Sequence, residues 1–133
     1  MLTASIITVE RRGTPICESG GMRAAVVGHV EWIEFVPVER VPRPGEIVHA
    51  EESWEQAAGG GSVAAVQLSK LADSVDFFTV LGNDEHGRLA REQLEAQGIT
   101  VHAGVVEAPQ RSGFTLVDEA GERTIVTIGP KQH

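Results

Sequence analysis

The pattern of apolar and polar positions changes character at Met22. Before it, Gly13, Pro15, Gly20 and Gly21 interrupt any period. Residues 1–21 therefore read as a detached, disordered leader. Either Met22 is the natural start, or the leader is a genuine mobile tail. From Met22 the run Ala24-Ala25-Val26-Val27-Gly28 is compact and apolar. That is the signature of a buried strand opening a parallel sheet. Val36 to Val41 alternates beside Pro42-Arg43-Pro44-Gly45-Glu46, which predicts an edge strand and a turn. Ile47 to Ala50 is expected to resume a strand.

Gly59-Gly60-Gly61-Ser62 leads into Val63 to Leu71, apolar on most faces and so predicted as a buried helix with Ser62 as its N-cap. Val75 to Leu81 predicts a second sheet strand, followed by the turn Gly82-Asn83-Asp84. Asp84 suits the cap of a helix from Glu85 to about Gln97, with Arg88/Glu92 and Arg91/Glu95 paired at i,i+4 and Gly98 as the stop. Ile99 to Val106 is a third strand. Gly113 to Val117 and Arg123 to Ile128 flank Glu119-Ala120-Gly121 as a hairpin. Strands alternating with helices, plus Pro-flanked strands and a late hairpin, predict an α/β sheet with a separate β element.

Composition narrows the functional classes. The net charge of −8 provides no general attraction to nucleic acid or an anionic membrane. Cys17 is the single cysteine, so no internal disulfide can form. The histidines, among them His29, His49, His86 and His102, are scattered without zinc-ligand spacing. No stretch has the length of a membrane-spanning helix, and Met1 to Val9 lacks the basic start of a signal peptide. Cytoplasmic location is the default.

The glycine loop carries the most chemistry. Consecutive glycines admit close backbone approach, and a helix N-terminus offers free N–H groups to a sugar hydroxyl or a phosphate. A P-loop would require Gly-Lys-Ser/Thr, which is lacking. The Rossmann fingerprint would require a third glycine where Ala64 stands. A ligand-free strand-to-helix turn is the competing reading. Glu31 and Glu34 follow the first strand, at the end where open α/β sheets hold ligands. They are either hydroxyl acceptors or solvated loop acids. Asp84 reads as a cap rather than a catalytic acid, and His29 and His49 as structural.

In order, these segments resemble the PfkB family of carbohydrate kinases. The carriers are Ala25-Val26-Val27-Gly28, Val41-Pro42-Arg43-Pro44-Gly45-Glu46, Ala58-Gly59-Gly60-Gly61-Ser62 with its helix, Gly82-Asn83-Asp84-Glu85-His86-Gly87, and Phe114 to Arg123. The resemblance spans residues 22 to about 129. It implies a partial Rossmann-like (ribokinase-like) three-layer α/β sheet with a small β lid, the lid drawn from about 35–57 and 110–128. It implies transfer of the ATP γ-phosphoryl group to a sugar or nucleoside hydroxyl, with Mg²⁺ beside ATP in the complete enzyme. The implied substrate pocket is Glu31, Gly59, Gly60, Gly61, Ser62, Gly113 and Thr115. Gly113 and Thr115 belong together because alternate strand residues share a face.

Two positions depart from the family pattern. Val63 stands where many members carry Asn, and Ile33 where they commonly carry Asp. The family's catalytic Gly-x-Gly-Asp, which combines an anion hole with the proton-accepting Asp, occurs nowhere in this sequence. The chain is therefore expected to carry the substrate-binding and lid part, to be inactive alone and to bind neither ATP nor metal by itself. Dimerisation through the lid is a further expectation. The alternatives are a non-catalytic sugar-binding or dimerisation module, or a truncated gene product.

Overall fold

The computed structural model describes residues 5–7 and 21–130. Their elements in chain order are β1 (Ser5–Ile7), β2 (Arg23–Val27), β3 (Glu31–Pro37), β4 (Trp54–Ala58), α1 (Gly60–Ser69), β5 (Ser74–Gly82), α2 (Glu85–Ala96), β6 (Ile99–Val106), β7 (Ser112–Val117) and β8 (Arg123–Ile128). They form two four-stranded sheets, β1-β2-β5-β6 and β4-β3-β7-β8.

In the first sheet β2, β5 and β6 are parallel, as their apolar runs predict. α1 and α2 pack on the same face of this sheet. There Val26, Val75, Phe77, Ile99 and Val101 pack with Ala65 of α1 and with Ala90 and Leu94 of α2. Of the three expected layers, the described residues supply the sheet and one helical layer. On the opposite face Val27, Phe78 and His102 remain exposed. The His102 ring stacks on Phe78 with centroids 4.7 Å apart, and its Nε2 lies 2.7 Å from Asp76 Oδ1.

Within the segment read as a leader, Ser5–Ile7 forms a short strand. This segment pairs antiparallel with β2, Ser5 opposite Val27 and Ile7 opposite Ala25. The remainder of the leader, Cys17 included, lies outside the described residues.

The second sheet differs more from expectation. β3 begins at Glu31, so Glu31 and Glu34 are strand residues rather than loop acids. Its antiparallel neighbour is β4, not Ile47 to Ala50, which forms no strand and leaves Ile47 exposed. Trp54-Glu55-Gln56-Ala57-Ala58 has neither β-branched residues nor apolar alternation, so its strand character comes from pairing with β3. β7 and β8 form the expected hairpin, with Gly121 at positive φ in its turn.

The helix ends are set by local chemistry. Asp84 Oδ1 accepts from Gly87 N at 3.1 Å and caps α2 as predicted, and Gly98 takes the positive φ that stops the helix. Ser62 is not the N-cap of α1. Gly59 holds that place at φ 91°, and Ser62 lies inside the first turn, fully buried. Its hydroxyl contacts the Ala58 carbonyl oxygen at 2.5 Å. The expectation of a buried α1 holds on one face only, because Val63 is exposed.

Candidate functional site

The two sheets meet where β2 passes through Gly28-His29-Val30 into β3, beside the glycine loop. Gly61 and Gly28 touch backbone to backbone. A Cβ on Gly61 would stand 2.8 Å from the Gly28 Cα, so this glycine serves strand–helix packing. A Cβ on Gly59 would meet the His29 Cδ2 and carbonyl oxygen at 3.0 Å, and its positive φ independently favours glycine. Gly60 opens α1 and is partly exposed, so the loop presents the helix N-terminus between the sheets.

Glu31 pairs with Ala58 across β3 and β4, which sets its carboxylate beside the loop. Its Oε1 lies 3.0 Å from Arg111 Nε and 3.8 Å from His29 Nε2. All three side chains are largely buried. Glu31, Ile33 and Phe35 share one face of the second sheet with Gly113 and Thr115, which pair with Ile33 and Phe35 respectively. A Cβ on Gly113 would lie 2.2 Å from the Val126 carbonyl oxygen, so the crossing of β7 and β8 requires glycine there. Thr115 is buried. Of the residues expected to contact a substrate, the fold gathers Glu31, Gly59 and Gly60 at one partly open junction. Gly113 lies further along the same face. Gly61, Ser62 and Thr115 sit in packed positions.

Two residues escaped the sequence reading. Gln110 is buried, and its amide ties the junction together. Its Oε1 accepts from Gly82 N at 2.9 Å, and its Nε2 donates to the Val30 carbonyl at 2.8 Å. Its backbone N–H donates to Asp84 Oδ1 at 3.1 Å, so the α2 cap also anchors the entry to β7. Arg111 follows directly and lies against Glu31. The only available signal was polar residues just before a strand, which any loop shows.

A shallow depression at the start of α2, lined by Leu81, Asn83, Asp84, Arg88 and Val105, does not include the glycine loop. Among the described residues no three His, Cys, Asp or Glu side chains cluster as metal ligands. No described helix is long and apolar enough to cross a membrane.

Comparison with known proteins agrees with this architecture. The family model described as pfkB family carbohydrate kinase matches residues 22–133. The chain is 31% identical over 108 residues to ribokinase of Arabidopsis thaliana, covering 78% of this chain and 28% of the relative. It is 32% identical over 123 residues to an ATP-dependent ribose-1-phosphate kinase of Halopiger xanaduensis, covering 84% and 40%. The chain thus spans less than half the length of these curated relatives. Ribokinase of Thermotoga maritima superposes with a TM-score of 0.65 at 30% identity, over 78% of this chain and 35% of that one. Arabidopsis thaliana ribokinase, solved with ribose and ATP, gives 0.58 at 27% identity, over 77% and 34%. The fold is ribokinase-like α/β, in part, and the chain belongs to the pfkB family of carbohydrate kinases.

Proposed function

We propose that these residues form the sugar-binding and lid portion of a cytoplasmic kinase that transfers the ATP γ-phosphoryl group to a hydroxyl of a sugar or nucleoside. The observation that carries this reading is the junction itself. A glycine-rich helix N-terminus and a largely buried carboxylate, Glu31, meet between the two sheets of a carbohydrate-kinase fold. The backbone N–H at Gly60 donates to a sugar oxygen, Gly61 fixes the loop by packing on Gly28, and Glu31 accepts from sugar hydroxyls. Gly113 keeps the facing strand free of side-chain bulk. Ser62 and Thr115 shape the walls from packed positions.

The residues present fit neither nucleotide motif considered above, since Gly-Lys-Ser/Thr is missing and Ala64 stands at the third Rossmann glycine, and the family's catalytic Gly-x-Gly-Asp is missing too. No phosphoryl-transfer step is therefore assigned to them. In the whole enzyme ATP and Mg²⁺ supply the phosphoryl group and its charge neutralisation. The contribution of this chain is to bind and orient the hydroxyl, which positions the acceptor for transfer. The second sheet also has exposed Ile125, Val126 and Ile128 on β8, which suits a homodimer contact through the lid.

The test is Gly60→Val in the full native polypeptide, titrated calorimetrically with pentoses, hexoses and nucleosides. The β-branched side chain disfavours the helix start and blocks backbone approach, so affinity should fall at least about tenfold, the scale of one lost charged or backbone contact. Unaltered affinity would remove the glycine loop from the site.

A further inference from the structure

Arg111 presents a problem that the sugar-site reading does not by itself resolve. Its guanidinium is largely buried against Glu31. The Nε sits 3.0 Å from Glu31 Oε1, yet its N–H is not directed at that oxygen, and this buried donor has no hydrogen-bond acceptor. Among the described residues the side chain makes one hydrogen bond, from Nη2 to Thr127 Oγ1 at 2.9 Å. A guanidinium carries five donors, and a buried ion pair is costly unless such donors are satisfied. An inter-strand tie would be expected to align Nε and Nη with the two carboxylate oxygens as a fork. This pair does not.

The position of the pair is equally informative. Residues 111 and 31 lie one step before the paired Ser112 and Trp32, on the face that carries Ile33 and Gly113 and beside the Gly59 loop. Ile33 is buried and apolar and has nothing to offer a hydroxyl. Among the strand residues on this part of the face, the charged hydrogen-bonding pair is Glu31 and Arg111, with the His29 imidazole 3.8 Å from Glu31 on the glycine-loop side. The formal charges of the pair cancel. A phosphate placed here would gain from the guanidinium but meet the carboxylate within a few ångströms. A neutral pair of adjacent hydroxyls matches both groups: one donates to Glu31, and its neighbour accepts from Arg111.

We propose that Arg111, acting with Glu31, is a specificity-determining residue that reads an uncharged vicinal diol of the substrate. This rests on the sugar-site reading above and narrows it to substrates whose end at the glycine loop is not phosphorylated. A site built to bond a hydroxyl rejects the analogue lacking it, because its own buried polar groups are then left unpaired.

The experiment titrates the full native polypeptide and its Arg111→Leu, Arg111→Lys and Glu31→Gln variants calorimetrically. The probes are D-ribose, D-fructose and adenosine, each against its deoxy analogues and its 5-phosphate form. Thermal melts establish that each variant is folded, and Arg111→Lys keeps the charge while losing the fork if Arg111→Leu does not fold. The wild type should prefer one parent compound over a deoxy analogue by about tenfold to a hundredfold, the range of a hydrogen bond to a charged group. In the folded Arg111 variants, parent and analogue should bind within about threefold of each other. Variants that keep the wild-type preference would overturn the assignment while leaving the sugar site intact. So would a phosphorylated probe that binds more tightly than its parent and loses that advantage in the Arg111 variants. If wild type and Gly60→Val alike bind no probe, the sugar-site reading fails and this inference falls with it.

Discussion

The two sheets solve the same packing problem in opposite ways. The first buries most of one face under α1 and α2, with Phe77 and Val26 fully enclosed, while its other face exposes Val27, Phe78 and His102. Parallel sheets are ordinarily covered on both faces, so that open face is the unusual one. Among the described residues, the strands of the second sheet bury only Trp32, Ile33, Ala58 and Thr115. It is mixed in direction, its last strand is exposed along its whole length, and it is tied to the first sheet by Gln110 and to the glycine loop by Glu31. One sheet is held by apolar burial. The other is anchored in that core through Trp32 and is otherwise held largely by strand pairing and a few polar ties, the construction expected of an element that meets a ligand rather than one that stores stability.

The sharpest test of this contrast is a matched pair of truncations. Phe77→Ala in the first sheet should cost about 3–5 kcal/mol, whereas Phe114→Ala in the second, where the ring is part-exposed, should cost about 1 kcal/mol or less. Urea unfolding measures both, and equal losses would erase the distinction. Next in size is the tie between the sheets. Gln110→Leu leaves the Gly82 N–H and the Val30 carbonyl without partners and should cost about 3 kcal/mol. A loss below about 1 kcal/mol would mean that other contacts hold the junction.

Smaller effects probe the second sheet alone. Glu34 of β3 stands directly opposite Glu55 of β4. Like charges facing across strands repel, so Glu55→Lys should raise stability by about 0.2–1 kcal/mol, read as a shift in the urea midpoint. The smallest effect lies in the turn between β3 and β4. Arg40 donates a hydrogen bond to Glu46 and holds its carboxyl below the usual range, helped by the Arg43 backbone N–H. A depressed carboxyl contributes order that is present above its unfolded pKa and is lost as pH falls through the folded one. Carbon NMR of Glu46 should therefore titrate below ordinary glutamates, and Arg40→Ala should move it upward. An unchanged titration would show that the turn is not organised by this pair.

The same contrast separates what was legible from what was not. The strand around Val26, the strand around Phe77, the Asp84 cap, the Gly98 stop and the β7–β8 hairpin could all be read from local pattern. β4 could not, since Trp54 to Ala58 has no strand signature of its own and is extended because β3 offers it a partner. At the site, the glycine loop and Glu31 were legible as residue types, but the role of Ser62 was misplaced. A helix one turn longer at its start makes Gly59 the cap and turns the hydroxyl inward. Gln110 and Arg111 were invisible because their importance lies in partners far away in sequence, Val30 and Glu31.

The sequence by itself determined the α/β class, the order of the elements, the helix boundaries set by Asp84 and Gly98, and the glycine-rich start of α1. Each depends on interactions within a few residues, where side-chain period, capping groups and backbone freedom act directly. Only the tertiary structure decided that Glu31 lies in a strand beside Arg111, that Gly61 is consumed by contact with Gly28, and that Val27, Phe78 and His102 stay exposed on one face of the first sheet. Those outcomes depend on which strands pair and in what register. Pairing energy is shared between segments tens of residues apart, so neither segment displays it alone.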